Sequence, residues 1–286
     1  MQKHHCQTKM KLNELINEVY LPLLEEKNGF HILCEPEFKS SLYNYLSNWE
    51  KIRKKEKNYT PIPPEQYPEL PIAPAVKNDF EWKWRKQSLA LVEKQIHKKN
   101  KPLILDLACW NGWLSNALTE KKNEVLAVDL FADEIDGMAC KKFYKTTWHS
   151  IQCDTENLNF LKPLFDVIVV NHALQFMPQP IDYCNRLKKL LKPDGLILLA
   201  GINFFSQSKK KHEQVESFKK HFKNKYNFSV FFKPCSGYLT LEDKTQLEQN
   251  GFRFMRYPDM RLHNLYSRVN PSKPLYCLGI FNASNK

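Results

Sequence analysis

The segment 103–115 and the acid Asp129 combine residue types and a spacing that suit a ligand site. The segment predicts a buried apolar strand, a tight turn and the first turn of a helix. About one helix later, residues 125–128 predict a second strand that ends on Asp129. The two oxygens of a carboxylate can accept hydrogen bonds from two adjacent ribose hydroxyls. This order of elements is typical of the nucleotide-binding half of a doubly wound sheet, where a helix N-terminus and an acid face one ligand.

The turn between these elements has an unusual composition. At three positions where glycine would be expected, the chain has Ala108, Trp110 and Gly112. Alanine fits such a turn without strain only if its φ stays negative. The Trp110 ring can project toward the ligand. Three outcomes are open: the ring points away from the ligand, the ring stacks on the ligand, or the pocket is remodelled and binds the ligand less tightly.

Strand and helix patterns alternate from residue 101 onward. Seven apolar segments predict strands: 102–107, 125–129, 150–153, 165–171, 196–202, 252–257 and 275–281. Amphipathic helix patterns lie between several of them. This alternation predicts an α/β fold with a doubly wound, mostly parallel seven-stranded sheet and helices on both faces.

A proline-rich connector divides the chain. Six prolines in residues 60–74 exclude regular helix or sheet there. We therefore predict an N-terminal accessory segment, 1–78, that is helical in part, and a main domain, 79–286. Within the main domain, the lysine-rich and then aromatic stretch 203–236 interrupts the alternation and predicts an insertion that serves as a lid.

Composition narrows the class of protein. A chain of 286 residues with 42% hydrophobic and 13% aromatic residues is typical of a globular protein. Its eight cysteines contain no CxxC pair, which favours a reducing compartment, and we expect a cytoplasmic protein without membrane insertion. The net charge of +12 is spread over short lysine runs, so a solvated basic surface is favoured over a nucleic-acid site.

Five motifs occur in a fixed order: Asp106-Leu-Ala-Cys-Trp-Asn-Gly112, Asp129, Cys153-Asp154, Asn171 and Leu191-Lys-Pro-Asp-Gly195. In this order and spacing they resemble class I S-adenosylmethionine-dependent methyltransferases. Within that superfamily, an uncharacterised branch also shows a basic helix like 81–85, an Asp-Gly pair like 136–137 and a late segment like 237–240. The resemblance covers about residues 79–286 and implies a Rossmann-like fold, transferase activity and S-adenosyl-L-methionine as the cofactor.

The resemblance also implies roles for individual residues. The cofactor-binding residues that it implies are Asp106, Ala108, Trp110, Gly112, Asp129, Asp154 and Asn171. The turn would cradle the methionine part of the cofactor, Asp129 would hold the ribose hydroxyls, and Asp154 the adenine amino group. Asn171 would line the place where methyl group and acceptor meet.

Candidate catalytic residues are His172, Tyr144 and Tyr238. Methyl transfer from a sulfonium uses an electrophile that arrives activated, so the protein mainly positions the acceptor and removes its proton. His172 follows Asn171 at a strand end, where an imidazole would face the reaction. A packed histidine without a chemical role is the alternative.

The acceptor is expected to be a small molecule. The fourth strand is followed by Asn171-His-Ala-Leu and not by the Pro-Pro-Tyr or Pro-Cys patterns of base methylation.

Two alternatives stay open: a non-catalytic protein of this fold with an altered pocket, and an RNA methyltransferase. The two C-terminal strands disfavour a nicotinamide-dependent oxidoreductase. A zinc site built from His4, His5, Cys6, His31 and Cys34 is not favoured, no metal is expected, and the oligomeric state is open.

Overall fold

The computed structural model describes residues 10–56, 62–134, 137–270 and 272–285. The α-helices in this part of the chain are α1 (Leu12–Leu15), α2 (Pro36–Glu56), α3 (Phe80–Ile96), α4 (Trp113–Glu120), α5 (Pro180–Lys188), α6 (Ser208–Tyr226), α7 (Leu241–Gln249) and α8 (Arg261–Val269). The strands are β1 (Glu25–Lys27), β2 (Phe30–Leu33), β3 (Leu103–Leu107), β4 (Glu124–Asp129), β5 (His149–Cys153), β6 (Phe165–Asn171), β7 (Leu191–Phe205), β8 (Leu239–Thr240), β9 (Arg253–Arg256) and β10 (Leu275–Asn282).

All these strands belong to one sheet, in the order β1-β2-β5-β4-β3-β6-β7-β10-β9, and β8 pairs with β7. The stretch from β5 to β9 is the predicted seven-stranded sheet, and its strands from β5 to β7 run parallel. Strand β10 runs antiparallel to both of its neighbours, β7 and β9. The predicted α/β fold is therefore confirmed, with additional strands at one edge and beside β7.

Helices cover both faces of the sheet because its central strands are apolar on both sides. All five residues of β3 are buried. Leu103, Leu105 and Leu107 pack with side chains from α5 and α7, whereas Ile104 packs on the other face with side chains from α3 and α4. Strands that are buried on two faces have nearly continuous hydrophobic sequences, and this pattern allowed them to be predicted.

The N-terminal helical segment is present as α2, but residues 25–33 form a hairpin that the sequence analysis did not predict. Asn28 and Gly29 have φ of +50° and +78°, which suits a two-residue type I′ turn. Strand β2 then pairs in parallel with β5, so the hairpin extends the main sheet. The division of the chain into domains at the connector stays a prediction.

Residues 203–236 are more regular than expected. Strand β7 continues to Phe205, and α6 follows it for 19 residues. Val215 and Phe222 are the buried residues of α6, which explains why its polar sequence showed so few apolar positions. We call residues 228–235, which follow this helix, the strap.

Helix α7 begins with a capping box. The Thr240 side chain accepts a hydrogen bond from the Asp243 N–H, and the Asp243 carboxylate accepts one from the Thr240 N–H. Such a capping box satisfies backbone donors that have no partner inside the helix.

Seven cysteines lie among the described residues, and none of these forms a disulfide bond. Across the described ranges, no helix is long and apolar enough to cross a bilayer. His4, His5 and Cys6 of the zinc hypothesis lie outside the described residues.

Candidate functional site

A cavity of about 450 Å³ lies at the carboxyl ends of four neighbouring parallel strands, β3 to β6. Open α/β sheets bind ligands at this edge, near the point where the strand order reverses. The lining residues that follow these strands are Ala108, Trp110, Asp129, Leu130, Phe131, Thr155, Glu156, Asn171, His172 and Ala173. The predicted turn and Asp129 thus line one cavity, and Asp154 lies at its rim.

The turn after β3 keeps a glycine-like backbone without glycine at its first two special positions. Ala108, Trp110 and Gly112 have φ of +57°, +52° and +83°. The left-handed region is strained for residues with a Cβ atom, by roughly 1–2 kcal/mol each. Ala108 therefore has a strained backbone, because its φ is positive and not negative as a strain-free alanine would require. Gly112 is required for a second reason, since a Cβ atom there would lie 2.7 Å from the Trp148 ring.

The Asp129 carboxylate holds this turn in place. Its Oδ2 accepts a hydrogen bond of 2.6 Å from the Trp110 N–H, and its Oδ1 accepts one of 2.7 Å from the Phe131 N–H. The side chain is almost fully buried, and burial raises the pKa of Asp129 to about 6. Each carboxylate oxygen retains acceptor capacity toward the cavity because a carboxylate has about four lone-pair sites.

The Trp110 ring stacks on helix α3. Its centroid lies 5.7 Å from that of Trp82 at an angle of 30°. The Arg85 guanidinium lies 4.9 Å from the Trp82 ring and 5.1 Å from the Trp110 ring. Trp110 and Arg85 both still line the cavity. Burial lowers the pKa of Arg85, which an arginine tolerates without losing its charge.

Asp106 lies beneath the turn and does not line the cavity. Its Oδ2 accepts a 2.6 Å hydrogen bond from the Ser115 hydroxyl, while its Oδ1 has no partner within the described residues. Burial, with a smaller contribution from the charge of Asp129, raises the pKa of Asp106 to about 7. Asp106 therefore acts on the site through the packing under the turn.

Asp154 is paired with the strap. The Lys233 ammonium lies 2.7 Å from the Asp154 carboxylate and 3.0 Å from that of Glu156. Lys233 and Glu156 line the cavity, and Asp154 lies beside them at its rim. Asp154, which is expected to bind the adenine amino group, is thus already paired with the Lys233 ammonium.

Asn171 and His172 end β6 on the cavity wall. Burial lowers the pKa of His172 well below its ordinary value, so the imidazole is neutral. Its ring packs edge-on against Trp84 at 4.5 Å, and it leaves no room for a Cβ atom on Gly201. The His172 Nε2 and the Asn171 Oδ1 are buried and have no hydrogen-bond partner within the described residues. Both atoms are enclosed by protein, and Nε2 faces Gly201, so a ligand would reach them only after a local rearrangement.

Helix α2 and the strap form the roof. The Tyr45 hydroxyl donates a 2.7 Å hydrogen bond to the Val230 carbonyl. The Tyr45 ring lies 4.9 Å from Phe228 and 5.2 Å from Phe232. Tyr45, Val230 and Phe232 line the cavity together with Trp49, Phe176, Met177, Phe231 and Cys235. The roof is thus mainly apolar and aromatic.

Two predicted catalytic residues lie away from this cavity. Tyr144 is buried between Tyr67 and Trp148, which its ring meets edge-on. Tyr238 follows the strap, where its carbonyl accepts a hydrogen bond from Ser236. Of the three candidates, His172 alone lines the cavity.

Sequence reasoning predicted a lid within residues 203–236 but did not name the residues of α2 and the strap that line the cavity, and it missed Arg85. Arg85 stands in the basic helix noted in the sequence, and Trp49 lies on the apolar side of α2, but neither pattern indicated a ligand. The contact of Tyr45 with Val230 joins positions 185 residues apart, which no local pattern reports. Thr155 and Phe131 follow strand ends directly, and their position was the available signal.

Known proteins share this domain. The family model described as a methyltransferase domain matches residues 105–199. The malonyl-[acyl-carrier protein] O-methyltransferase of Halalkalibacterium halodurans is 31% identical over 116 residues, which cover 38% of this chain and 43% of that protein. The ubiquinone biosynthesis O-methyltransferase of Haemophilus ducreyi is 28% identical over 109 residues, 35% of this chain and 45% of that protein. The match spans less than half the length of these two relatives.

Solved structures show the same fold. A chain in the complex between the Haloferax volcanii Trm112 methyltransferase activator and a methyltransferase is 14% identical, with a TM-score of 0.50, over 77% of this chain and 96% of that chain. The Burkholderia thailandensis 1,6-didemethyltoxoflavin-N1-methyltransferase, solved with bound 1,6-didemethyltoxoflavin and S-adenosylhomocysteine, is 15% identical, with a TM-score of 0.46, over 86% of this chain and 88% of that chain. Identities this low indicate fold alone.

We expect the charge of Asp106 to make stability depend on pH. Its raised pKa favours the protonated form in the folded state, so stability is largest at low pH and is lost as the pH rises through about 7. The amide of the Asp106→Asn variant cannot ionise. Between about pH 5 and pH 8, wild type should therefore lose on the order of 1–3 kcal/mol of unfolding free energy relative to Asp106→Asn in urea titrations.

Asp194→Asn is the matched control for this measurement. Asp194 is exposed at the opposite edge of the sheet, and pairing with Lys99 lowers its pKa, so its ionisation does not change in this range. Parallel pH profiles for wild type and Asp106→Asn would contradict the assignment.

Proposed function

We propose that this chain, whose residues 105–199 match a methyltransferase domain, transfers a methyl group to a small-molecule acceptor held in the strand-end cavity. The observation that carries the proposal is the cavity itself, which joins the turn 108–112, Asp129 and the end of β6 under one roof. The cofactor is S-adenosylmethionine, which when bound supplies an electrophilic methyl group on a sulfonium.

The cofactor end of the cavity is formed by the turn, Asp129 and Arg85. The unused lone pairs of the Asp129 carboxylate would accept hydrogen bonds from the ribose hydroxyls. The Arg85 guanidinium, which lies beside two stacked indole rings, would pair with the carboxylate of the methionine part. Both groups are fixed in place before a ligand arrives, which reduces the ordering cost of binding.

Asp154 fits the adenine end. Its carboxylate can accept a hydrogen bond from the adenine amino group while it stays paired with Lys233, since one nitrogen donor leaves other lone pairs available. The strap would then be tied to the adenine end of the bound cofactor through Lys233. This supports a lid that closes over the cofactor as well as over the acceptor.

The acceptor end supports a small molecule with apolar surface. The cavity volume of about 450 Å³ lies within the range of small-molecule sites. Phe176, Met177 and Phe231 line it from three different segments. A polymer could enter only if the strap moved away from α2. The two relatives are named for O-methylation of malonyl-[acyl-carrier protein] and for ubiquinone biosynthesis, and neither name refers to a nucleic acid, which supports an acceptor group of small size.

His172 is the best-placed base. A neutral imidazole can accept the proton that an acceptor hydroxyl loses on methylation, once a rotation of the ring turns its enclosed Nε2 from Gly201 toward the cavity. Its low pKa makes it a weak base in the free protein, so its main contribution would be to orient the acceptor hydroxyl. The Asn171 carbonyl oxygen can accept a second hydrogen bond from the same ligand.

Asp129→Ala tests the cofactor end. Loss of the ribose hydrogen bonds should weaken S-adenosylmethionine binding by on the order of 1–3 kcal/mol, about 5- to 150-fold in the dissociation constant from calorimetry. Asp194→Ala, which removes an exposed carboxylate far from the cavity, should bind as wild type does. Equal affinities for wild type and Asp129→Ala would refute the role of this acid.

Arg85→Gln tests recognition of the methionine carboxylate. Its affinity for S-adenosylhomocysteine should fall by roughly 10- to 100-fold, because a charge-assisted pair is lost. Its affinity for 5′-methylthioadenosine, which has no carboxylate, should stay near that of wild type. Lys86→Gln, one residue further along α3 and exposed, is the control. An equal loss for both ligands would mean that Arg85 only supports the turn.

The acceptor class is tested with S-adenosylmethionine that carries a tritium-labelled methyl group. The protein is incubated with a small-molecule cell extract or with total RNA, and each fraction is counted after separation. Label in the small-molecule fraction that disappears with Asp129→Ala supports the proposal. Label in RNA would establish the RNA alternative, and cofactor binding without label in either fraction would favour a non-catalytic protein.

A further inference from the structure

Helix α8 exposes its apolar side chains. Leu262, Leu265, Tyr266 and Val269 are 78%, 57%, 51% and 76% exposed. Their spacing of three and four residues places them on one face of the helix. Such a row normally packs against the core, and here it faces outward. Contiguous exposed apolar surface of this kind marks an interaction site.

A polar residue fixes this orientation. Asn264 is 2% exposed, its Nδ2 donates a 3.0 Å hydrogen bond to the Tyr276 carbonyl, and its Oδ1 accepts one of 2.8 Å from the Tyr276 N–H. Rotating α8 to bury its leucines would break both bonds and leave buried polar groups of β10 without partners. The outward apolar row is therefore built into the fold.

The segment that carries this row is basic. Residues 251–274 contain five cationic residues and one acidic residue: Arg253, Arg256, Arg261, Arg268, Lys273 and Asp259. Arg253, which pairs with Ile280 on the α8 side of the sheet, and Arg261, which begins α8, are exposed and take part in no ion pair within the described part of the chain. An apolar row on the same side as these two unneutralised arginines is complementary to a surface that offers hydrocarbon next to negative charge.

We propose that α8 docks this protein on the surface of an anionic lipid bilayer. A helix of nine residues is about 13.5 Å long at 1.5 Å per residue, far short of the roughly 30 Å of a hydrocarbon core, so it lies along the interface. Leu262, Leu265 and Val269 enter the boundary between headgroups and acyl chains, and the arginines meet lipid phosphates. This surface acts independently of the methyl-transfer cavity.

A second copy of the chain fits this face less well. Two such faces would bring the same cationic residues together, with Asp259 as the sole acid in the segment 251–274. A stable dimer interface also takes about 20–30 residues from each protomer, whereas the exposed apolar row has four.

The test is co-sedimentation of the full chain with vesicles. Wild type should bind vesicles of phosphatidylcholine mixed with phosphatidylglycerol, and bind vesicles of phosphatidylcholine alone weakly. The double variant Leu262→Ser/Val269→Ser should lower the partition coefficient on mixed vesicles by on the order of tenfold. Added salt should weaken wild-type binding, because the arginine contribution is screened.

Val19→Ser/Ile72→Ser is the matched control, since it removes two exposed apolar residues, 76% and 60% exposed, outside α8. It should bind mixed vesicles as wild type does. Thermal unfolding of each variant checks that the chain is folded, and Leu265→Ser alone gives a second variant of α8.

Three results would overturn the proposal. The first is no binding of wild type to mixed vesicles, and the second is an equal loss in the control and the α8 variants. The third is a lipid-free dimer of wild type, detected by light scattering, that the α8 variant converts to monomer.

Discussion

The site depends on the buried carboxylate of Asp129. It accepts the N–H of Trp110 on one oxygen and the N–H of Phe131 on the other, and so joins the turn after β3 to the end of β4. Without it, two amide groups would lose their partners, and the turn would lose the bond that offsets its strain. Charge-assisted hydrogen bonds of this length are among the stronger ones in proteins. The raised pKa of Asp129 shows that they do not fully compensate its burial. A ligand hydroxyl that donates to this carboxylate would therefore be well bound.

Trp110 shows how a bulky residue can occupy a glycine position. Its left-handed backbone costs roughly 1–2 kcal/mol, while an aromatic pair contributes about 0.5–1.5 kcal/mol beyond its buried area. Stacking on Trp82 and beside Arg85 thus offsets much of the strain. The consequence is that the turn depends on α3, which precedes β3 in the chain. A glycine at position 110 would have left α3 free to vary, whereas tryptophan ties it to the cavity and brings Arg85 to the wall.

The sequence allowed the central fold to be predicted because burial on two faces leaves long apolar runs, as in residues 165–171 and 196–202. The cavity could be placed because parallel strands end at one edge of the sheet. The hairpin at residues 25–33 was missed although Asn28-Gly29 is a turn signal, since its first strand, Glu25–Lys27, has three exposed charged residues and no apolar alternation. Tyr144 and Tyr238 were named for their chemistry alone. Their distance from the cavity is a matter of tertiary packing, which residue type does not report.

The roof links the two ends of the chain to one cavity. Helix α2 lies between β2 and β3 in the chain and the strap follows α6, yet the Tyr45 hydroxyl holds the Val230 carbonyl, and Trp49 meets Phe222 of α6 at 5.7 Å. The strap is also tied down on the opposite side, where Lys233 pairs with Asp154 and Glu156. Entry of a ligand through the roof has to break one set of contacts, and the Tyr45 side has a single hydrogen bond and movable rings. The side held by Lys233 has two ion pairs whose acids directly follow β5 of the rigid sheet. Lys233 reaches α2 as well, since its ammonium lies 5.4 Å from the Phe38 ring, and Phe38 meets Phe232 at 5.5 Å. Ion pairs thus join the strap to the sheet, and aromatic rings join it to α2, so a movement of the strap alone has to break both sets of contacts.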